Sequence, residues 1–473
     1  MTVVGEAAGS TLRARTEEID AFDPIAVYAA AVEAGLEAAL WLRPSEEFAL
    51  VGVGRAWATE ADGSERFGAA DDGWRAVAAS MGVALAADLA ADVDRHERLP
   101  RGVGPVLLGG LGFSGRTPSP DDAWAPFGAS SLVLPEWIAS WTLGRHWITT
   151  TTGDAANGPG RRRFERILAR ATALAPARGG LVARPVANTL QIVETRPDEA
   201  TWRRTVGLFA GAVGRGRIDK VVLARRVVLA SPADLDVENA LRRLAAGAPE
   251  STIFAFTRAG RTFLGATPER LIRVDGRSFR TVAIAGSIGR GADDAADAEL
   301  ARRLLASEKD REEHDVVVAA IRERLGPVCE ELRIATEPRV LTLRTVQHLA
   351  TEIEGRIRDS AGEREDIGLL ALAERLHPTP AVGGEPREMA LDLIDEHEDF
   401  DRGWYAGPIG WVGADGGGEL MVALRSGIVD RTQATLFAGC GIVADSDPDG
   451  EWEESRLKLR ALASALGRPE DAP

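Results

Sequence analysis

The sequence predicts an α+β protein built on large, mostly antiparallel sheets. Strand-like and helix-like segments alternate along the chain without an obvious internal repeat. Tight turns such as the Asp-Gly pair between Val274 and Arg277 join consecutive strand-like segments, which indicates antiparallel hairpins rather than βαβ units. The chain contains no GxxxxGK[ST] segment, so nothing in it supports a P-loop nucleotide site.

The first part of the chain is predicted to form one helix and then several strands. Asp23 followed by Pro24 is a typical helix start, and it opens an Ala-rich helix that we expect to continue to about Trp41. Residues 154–160 are predicted as a loop, and 161–175 have helical periodicity. Apolar segments with Gly or polar breaks predict strands within 48–58, 104–114, 130–141 and 145–152.

Residues 178–185, RGGLVARP, mark the expected boundary between two parts of the chain. We assign 1–185 to an N-terminal part of the fold and 186–467 to a catalytic part, because nearly every polar cluster of interest lies downstream. The later part is predicted to begin with a strand at 219–230, a helix at 236–247 and a series of hairpins at 251–287. A long helix at 294–325, a second meander at 403–438 and a final helix at 451–466 are predicted further along.

Composition and charge restrict the classes of partner. Hydrophobic residues make up 45% and charged residues 27% of the 473 residues, as in ordinary globular proteins. The net charge of −16 disfavours nucleic acid and anionic membranes, which need a basic surface, but it allows a small anionic substrate in a local positive pocket. Two cysteines, Cys329 and Cys440, cannot form a disulfide framework, which fits a reducing cytoplasm. We find no signal peptide and no run of about eighteen apolar residues, so we expect no membrane span.

The predicted long helix carries a charged segment, 306–314 (ASEKDREEH), whose acids fall on different sides. A helical wheel gives an apolar stripe of Leu300, Leu304, Val317, Val318, Ile321 and Leu325. Glu312 lies on the solvent side and Glu308 on one flank. Asp310 and Glu313 share the opposite flank.

The final helix repeats this arrangement, with Glu451 and Glu454 along one edge and Lys458 after them. Acids three residues apart are neighbours on a helix and repel each other unless something neutralises them. Two such pairs beside the core could share a hard cation such as Mg²⁺, which prefers carboxylate oxygens. The wheels alone favour the alternative, that both pairs are solvated edges.

Lys220 and Glu269 are candidates for a general base and a general acid. Lys220 shares a predicted strand face with Val222 and Ala224, and a partly buried lysine can lose its proton. Glu269 follows Pro268 among apolar neighbours, where burial would raise its pKa and suit it to donate a proton. The alternatives are a lysine at the sheet margin and an ordinary ion pair between Glu269 and Arg270.

Other polar positions suggest an anion pocket without proving it. Three glycine-containing segments, 285–289, 381–384 and 438–441, are predicted as turns that could aim N–H groups at an anion, although most such turns only reverse the chain. Arg425 interrupts an apolar strand and would pair with a carboxylate if it faced inward. His348 and His377 have the least surface-like contexts, but no HxxH or HxxxH pair exists, so they could equally be core histidines.

Taken in order, ten segments of the chain resemble the chorismate-utilising enzyme family. They cover about residues 190–465, and they are DKVVLARR, LGATPERL, AIAGSIGR, LLASEKDREEH, QHLATEIEG, LHPTPAVGG, FDRGWYAGPIGW, VALRSGIV, LFAGCGIV and GEWEESRLKL. The resemblance implies a large sandwich of two antiparallel sheets with peripheral helices and a deep chorismate cleft. It further implies a Mg²⁺-dependent conversion of chorismate to isochorismate, in which water adds at C2 and the C4 hydroxyl leaves.

The resemblance also implies roles for individual residues. Lys220 matches the base that activates water, and Glu269 matches the acid that protonates the departing hydroxyl. Glu313 and Glu454 match the Mg²⁺ ligands, with Asp310 and Glu451 as water-mediated supports. Positions that match the substrate pocket are Gly286, Ser287, His348, Ala381, Tyr405, Arg425, Gly439 and Lys458. Thr267 stands where the family more often has serine, which we expect to be harmless.

Two positions discriminate among the activities of the family. Ala285 stands where aminodeoxychorismate synthases carry a nucleophilic lysine, and Lys220 stands where anthranilate synthases have a non-basic residue. Both favour water addition. The alternatives that stay open are a salicylate synthase, which goes on to eliminate pyruvate, and a non-catalytic paralogue that binds chorismate. The family resemblance suggests a monomer, and the product could feed menaquinone, siderophore or other salicylate-derived synthesis.

Overall fold

The computed structural model describes residues 12–85, 99–152, 159–174, 183–186, 188–342, 346–359 and 367–470. Within these residues the chain forms ten α-helices, two short 3₁₀ turns and 24 strands. The helices are α1 Pro24–Glu33, α2 Arg66–Ser80, α3 Pro159–Leu174, α4 Glu199–Gly214, α5 Val237–Gly247, α6 Asp294–Ala306, α7 Glu308–Leu325, α8 Leu369–Leu376, α9 Arg387–His397 and α10 Pro448–Leu466.

The strands form two large sheets. The fourteen-stranded sheet contains β1 Arg13–Glu18, β2 Ala38–Arg43, β3 Phe48–Val53, β5 Gly82–Leu85, β8 Trp137–Thr142, β9 Arg145–Thr152, β10 Thr189–Arg196, β11 Lys220–Ala230, β12 Thr252–Arg258, β13 Arg261–Thr267, β19 Gly384–Glu385, β22 Ser426–Asp430, β23 Gln433–Ile442 and β24 Arg468–Pro469. The ten-stranded sheet contains β4 Trp57–Glu60, β6 Val106–Leu111, β7 Ser130–Leu134, β14 Arg270–Asp275, β15 Ser278–Gly289, β16 Cys329–Ile334, β17 Arg339–Thr342, β18 Val346–Ile357, β20 Pro408–Gly413 and β21 Gly418–Val422.

Antiparallel pairing dominates both sheets, which confirms the predicted fold class. In the described residues only β1 with β5 and β10 with β24 pair in parallel. The predicted Asp-Gly turn joins β14 to β15, and Gly276 adopts the positive φ of 59° that such a turn requires. Each sheet contains strands from both sides of residue 185, and the two groups meet where β2 pairs with β12 and where β6 pairs with β20. The division of the chain at 185 stays a prediction.

Alternate residues of the large sheet pack into two different cores. Trp41 of β2 and Phe254 of β12 belong to the core that includes Leu420 of the smaller sheet. Their neighbours, such as Leu40 and Ile253, face the opposite way and pack with helices α1, α5 and α10. Both faces of the large sheet are therefore covered, and helix α10 is fixed against its outer face.

Three predicted boundaries are wrong for local reasons. The first helix ends at Glu33 rather than near Trp41, which lies in β2. The predicted long helix is two helices, because Ser307 leaves the helical conformation and caps α7, its Oγ accepting from the Asp310 N–H at 3.2 Å. The final helix starts at Pro448, three residues earlier than expected, after the Asp447 cap.

The segment predicted as a loop at 154–160 is only partly described. Pro159 and Gly160 already belong to α3, whereas 153–158 lie outside the described residues. Most of the predicted boundary segment 178–185 also lies outside them. None of the helices in the described parts of the chain has the length and apolar character that a membrane span needs.

A buried carboxylate joins the ends of the two sheets. Glu419 of β21 is fully buried and accepts hydrogen bonds from Arg270 of β14, Nε to Oε1 at 2.7 Å, and from Arg101. Arg43, the last residue of β2 in the other sheet, lies 3.7 Å from the same carboxylate. Burial acts to raise the pKa of Glu419, but the three arginines outweigh it and lower the pKa to about 2. Glu46, which is partly exposed, also pairs with Arg43 and Arg101.

Replacing Glu419 with glutamine should therefore destabilise the fold. The substitution leaves buried guanidinium groups without their anion, so we expect the free energy of unfolding at pH 7 to fall by about 3–5 kcal/mol in urea titrations. The matched control is Glu354→Gln on β18, which removes an exposed ion pair with Arg280 and should cost less than about 1 kcal/mol. Equal effects in the two variants would contradict a central role for Glu419.

Candidate active site

The predicted site residues converge on one cavity of about 210 Å³. Strands β11, β15, β18 and β23 contribute to its wall together with helices α7 and α10. All fourteen residues to which the family resemblance assigns a role line it, namely Lys220, Glu269, Gly286, Ser287, Asp310, Glu313, His348, Ala381, Tyr405, Arg425, Gly439, Glu451, Glu454 and Lys458. The structure thus places them together, and their individual roles stay predictions.

Lys220 is paired with Glu313 across the cavity. It is the first residue of β11, it is 3% exposed, and its Nζ donates to Glu313 Oε1 at 2.6 Å. Burial acts to raise the pKa of Glu313, but the Lys220 charge outweighs it, so the pKa lies below its usual value. On the same helix Glu312 is exposed, as the wheel predicted, and Glu308, which the wheel placed on a flank, is exposed too. The charged segment is therefore solvated on one side and reaches the cavity on the other.

Gly441 keeps space for the Lys220 side chain. It lies opposite Val222 in the pairing of β23 with β11. A Cβ atom at Gly441 would stand only 2.6 Å from Lys220 Cε. The segment 438–441 is thus part of strand β23, and not the predicted turn; its glycines allow close approach of the lysine.

Glu269 is a buried carboxyl group without a charged hydrogen-bond partner in the described residues. It is 8% exposed, and burial raises its pKa to about 7 despite the opposing charges of Lys220, Lys458 and Arg425. The alternative of an ion pair with Arg270 is excluded, because Arg270 is engaged by Glu419. A carboxyl group in this state can hold a proton near neutral pH and deliver it.

The hydroxyl of Thr267 fixes the backbone around Glu269. It donates to the Val422 carbonyl at 2.5 Å and accepts from the Glu269 N–H at 3.3 Å. The Glu269 carbonyl in turn accepts from the Val422 N–H at 2.9 Å. Threonine therefore supplies the oxygen that serine would supply, which fits the expectation that this departure is harmless.

Arg425 offers its guanidinium group to the cavity. It lies between β21 and β22 with a positive φ of 52°, and not inside a strand as predicted. It makes no ion pair within 4.0 Å of an acid in the described residues, so these residues do not supply the carboxylate that an inward-facing arginine was expected to pair with. Burial lowers its pKa. An unpaired guanidinium beside a cavity is suited to a substrate carboxylate.

Tyr405 completes the same wall. Its ring stacks on Phe437 with centroids 5.3 Å apart, and burial raises its pKa to about 12, so the phenol stays neutral and can donate a hydrogen bond. Its hydroxyl lies 3.1 Å from where a Cβ would stand on Gly439. The glycine therefore leaves room for the phenol.

A bulge in β15 presents Gly286 and Ser287. The register with β18 shifts between Ala285 and Ser287, and Gly286 takes a φ of 74° beside Asp310. This segment was predicted as a turn but lies within a strand. Ser287 Oγ lies 2.7 Å from His348 Nδ1, and burial lowers the pKa of His348 to about 4. His348 is therefore neutral at physiological pH.

Of the two remaining candidates, His377 lies outside the cavity and Ala381 lines it. His377 is a buried core histidine whose Nε2 lies 3.0 Å from the Phe113 carbonyl, and it does not line the cavity. Ala381 does line the cavity and precedes the turn at Gly383, whose N–H donates to the Thr379 carbonyl at 2.9 Å.

Helix α10 brings two acids and one lysine to the cavity. Lys458 Nζ lies 2.6 Å from Glu454 Oε1 and donates to the Gly439 carbonyl at 2.7 Å. Lys458 lowers the pKa of Glu454. Burial, assisted by the charge of Glu454, raises the pKa of Glu451 to about 7, and its Oε1 accepts from Ser446 at 2.8 Å. Glu454 is thus paired with Lys458, whereas Glu451 holds its proton more tightly than an ordinary glutamate.

These acids fit a hard divalent cation. Oxygens of Glu451 and Glu454 lie within 4.8 Å of each other and of Cys440 Sγ. Burial raises the pKa of the Cys440 thiol well above its usual value, which disfavours the thiolate that a soft metal would require. Carboxylate oxygens are the ligands that Mg²⁺ prefers. The carboxylate of Asp310, unlike those of Glu451 and Glu454, accepts a hydrogen bond from the Ser307 hydroxyl on its own helix.

Sequence reasoning missed two basic residues of the cavity wall. Arg402 is 3% exposed, pairs with Glu398 and donates to the carbonyls of Val222 and Val382. Lys309 stands half-exposed at the cavity wall, 3.7 Å from Asp445. The rarity of lysine was a sequence signal for Lys309, because the chain has only three lysines among its 56 basic residues. In the structure all three lysines line this cavity.

Comparisons with known proteins agree with this geometry. The family model described as "Chorismate binding enzyme" matches residues 4–467. The chain belongs to the chorismate binding enzyme family. It is 36% identical to the salicylate biosynthesis isochorismate synthase of Pseudomonas aeruginosa, over 96% of this chain and 90% of that one. It is 33% identical to the isochorismate synthase MenF of Bacillus subtilis, over 96% of this chain and 93% of that one.

Solved structures of this family share the fold. The menaquinone-specific isochorismate synthase MenF of Escherichia coli superposes with a TM-score of 0.74 at 24% identity, covering 98% of this chain and 96% of that one. Anthranilate synthase component I of Streptococcus pneumoniae gives a TM-score of 0.62 at 21% identity, covering 75% and 80% of the two chains. The sandwich predicted from the family resemblance is confirmed.

The buried carboxyl of Glu269 should leave a signature in the pH dependence of stability. Its folded-state pKa of about 7 lies above the ordinary value of 4.5, so the native state holds this proton more tightly than the unfolded chain. In metal-free buffer, wild type should lose up to about 3 kcal/mol of stability relative to Glu269→Gln as the pH rises from about 4.5 to 7.

The measurement is urea unfolding of both proteins across that pH range. Taking the difference between wild type and variant removes the contribution of other groups, such as Glu451. The exposed control Glu354→Gln should show a pH-independent difference from wild type. A Glu269→Gln difference that is equally flat would contradict a raised pKa at Glu269.

Proposed function

We propose that this protein is an isochorismate synthase, which converts chorismate to isochorismate by adding water at C2 with loss of the C4 hydroxyl. The observation that carries the proposal is the joint presence, in one cavity, of Lys220, of a buried Glu269 whose pKa is raised to about 7 and of Arg425 without an acid partner in the described residues. The relatives named above as isochorismate synthases match this chain over nearly its whole length, which supports the same reaction here.

The cavity has the charges that this substrate needs. Chorismate carries two carboxylates, and a protein of net charge −16 can hold them only through local positive groups. We assign one carboxylate to Arg425 and Tyr405, which present an unpaired guanidinium and a neutral phenol. We assign the other to the side of the cavity that holds Glu313 and Glu454. Glu313 and Glu454 would hold a Mg²⁺ ion there, and the ion would supply positive charge for the carboxylate.

Lys220 and Glu269 divide the proton transfers. Before each turnover Lys220 loses a proton to solvent and Glu269 gains one. The neutral amine of Lys220 then takes a proton from a water molecule in the cavity as the water oxygen bonds to C2. The ring double bonds shift, the C4–O bond breaks, and Glu269 gives its proton to the departing hydroxyl, which leaves as water. One water enters and one leaves, so the reaction is an isomerisation overall. His348, neutral and fixed by Ser287, lines the ring without exchanging protons.

The direct test is incubation of the pure protein with chorismate and Mg²⁺. We expect isochorismate by chromatography, no turnover after removal of metal with EDTA, and recovery when Mg²⁺ is restored. Appearance of salicylate, which is fluorescent, would instead assign the salicylate synthase activity. Absence of any turnover would support a non-catalytic chorismate-binding protein.

The cytoplasmic location and the monomeric state remain predictions.

Two isosteric variants separate the proposed base from the proposed acid. Lys220→Gln keeps a donor for Glu313 but cannot accept a proton, and Glu269→Gln keeps the neutral shape but cannot donate one as an acid. Because general acid–base catalysis contributes about 10²–10⁴-fold, each should lower kcat by at least about 100-fold with little change in chorismate binding. Glu354→Gln serves as the control, and near-normal kcat in either cavity variant would contradict its role.

A further inference from the structure

A second cavity of about 670 Å³ adjoins the proposed active site. Its walls come from helices α5 and α10 and from the segments around Arg290 and Val346. Arg425 and Pro268 line both cavities, so these two residues form the partition between them. The larger cavity therefore ends where the proposed carboxylate site begins.

Arginines with spare hydrogen-bonding capacity face this second cavity. Arg460 is exposed on α10, and no acid of the described residues lies within ion-pair distance of it. Arg243 of α5 donates only to the carbonyls of Arg184 and Ser464, at 3.4 and 3.3 Å, and its buried Nε has no partner. Arg425 is also unpaired. Among the lining residues Glu250 is the only acid.

This distribution departs from the rest of the protein. The chain carries 72 acids against 56 basic residues, and most of its other arginines in the described parts of the chain are engaged by acids, as Arg290 is by Asp297 in the same wall. A cluster of unneutralised arginines beside a cavity concentrates anions from solution. The rest of the wall consists largely of small or apolar side chains, including Leu244 and Ala461, which suit a carbocyclic ring.

Helix α10 faces both cavities with different residues. Glu454 and Lys458 line the smaller cavity, whereas Arg460 and Ser464 line the larger one. A carboxylate that moves along this helix from Arg460 would next meet Arg425, which reaches the active site. We infer that the second cavity is an entry vestibule, in which Arg460 and Arg243 hold a carboxylate of the dianionic substrate before Arg425 receives it.

This inference rests on the proposed function, and two kinds of variant test it. Arg460→Gln removes one positive charge from the vestibule and should raise the KM for chorismate about fivefold with kcat unchanged. Its KM should also depend less on salt concentration than that of wild type. Arg217→Gln is the matched control, since Arg217 is exposed and lies outside both cavities. Its KM should equal that of wild type.

The second variant blocks the route without changing charge. Ala461 is exposed on α10, so Ala461→Trp should leave the fold intact while filling the vestibule, and we expect kcat/KM for chorismate to fall at least about tenfold. Ala461→Ser is the control of small volume, and circular dichroism and Tm report on folding. If Ala461→Trp fails to fold, Ser464→Trp fills the same cavity from the next turn.

The outcomes are distinguishable. Lack of turnover by wild type refutes the proposed function and the vestibule with it. Normal wild-type turnover with an unchanged KM in Arg460→Gln refutes the vestibule alone. A raised KM in Arg460→Gln combined with normal kcat/KM in the folded tryptophan variants would show a general effect of charge and would also overturn the route.

Discussion

A charge removed from water must find a partner, and this constraint orders the whole region between the two sheets. Glu419 takes Arg270, and Glu398 takes Arg402, so these buried charges are satisfied inside the protein. Because Arg270 is occupied, Glu269 is left without a counter-ion and burial keeps its proton in place near neutral pH. The network that ties the sheets together therefore also sets the protonation state of the proposed acid. Arg425, which has no acid within ion-pair distance in the described residues, is a group that a dianionic substrate would pair.

The elements that carry these groups hold them rigidly from opposite sides. Lys220 begins a strand that is paired along its length with β23, and Gly441 of that neighbour leaves the space that the lysine needs. Asp310 and Glu451 lie in the first turns of α7 and α10, where the helix dipole favours negative charge. Acids at helix starts can thus be gathered around one cavity at a lower cost than in mid-helix. A cation shared between the two helices would remove the remaining repulsion.

The sequence predicted what is local and failed where tertiary contacts decide. Hairpins with Asp-Gly turns and the spacing of Asp310 and Glu313 are local patterns, and both appear as expected. The break at Ser307 was missed because a serine inside a helical pattern signals a cap only when the chain actually turns there. Segment 438–441 looks like a turn but is a strand, since its glycines serve close packing against β11. The gathering of fourteen residues into one cavity came from the family resemblance, because no periodicity relates β11 to α10.

Lys220 and Lys458 differ in the number of polar partners that the described residues give them. Lys458 contacts Glu454 and also the Gly439 carbonyl, so it keeps a polar partner even if Glu454 binds something else. Lys220 has Glu313 as its one hydrogen-bond partner in the described residues. If Glu313 bound a cation instead, Lys220 would lose this partner and could contact the contents of the cavity. Arginine in that position could not take a proton from water. A chain that otherwise relies on arginine therefore has a chemical reason to place lysine at the start of β11.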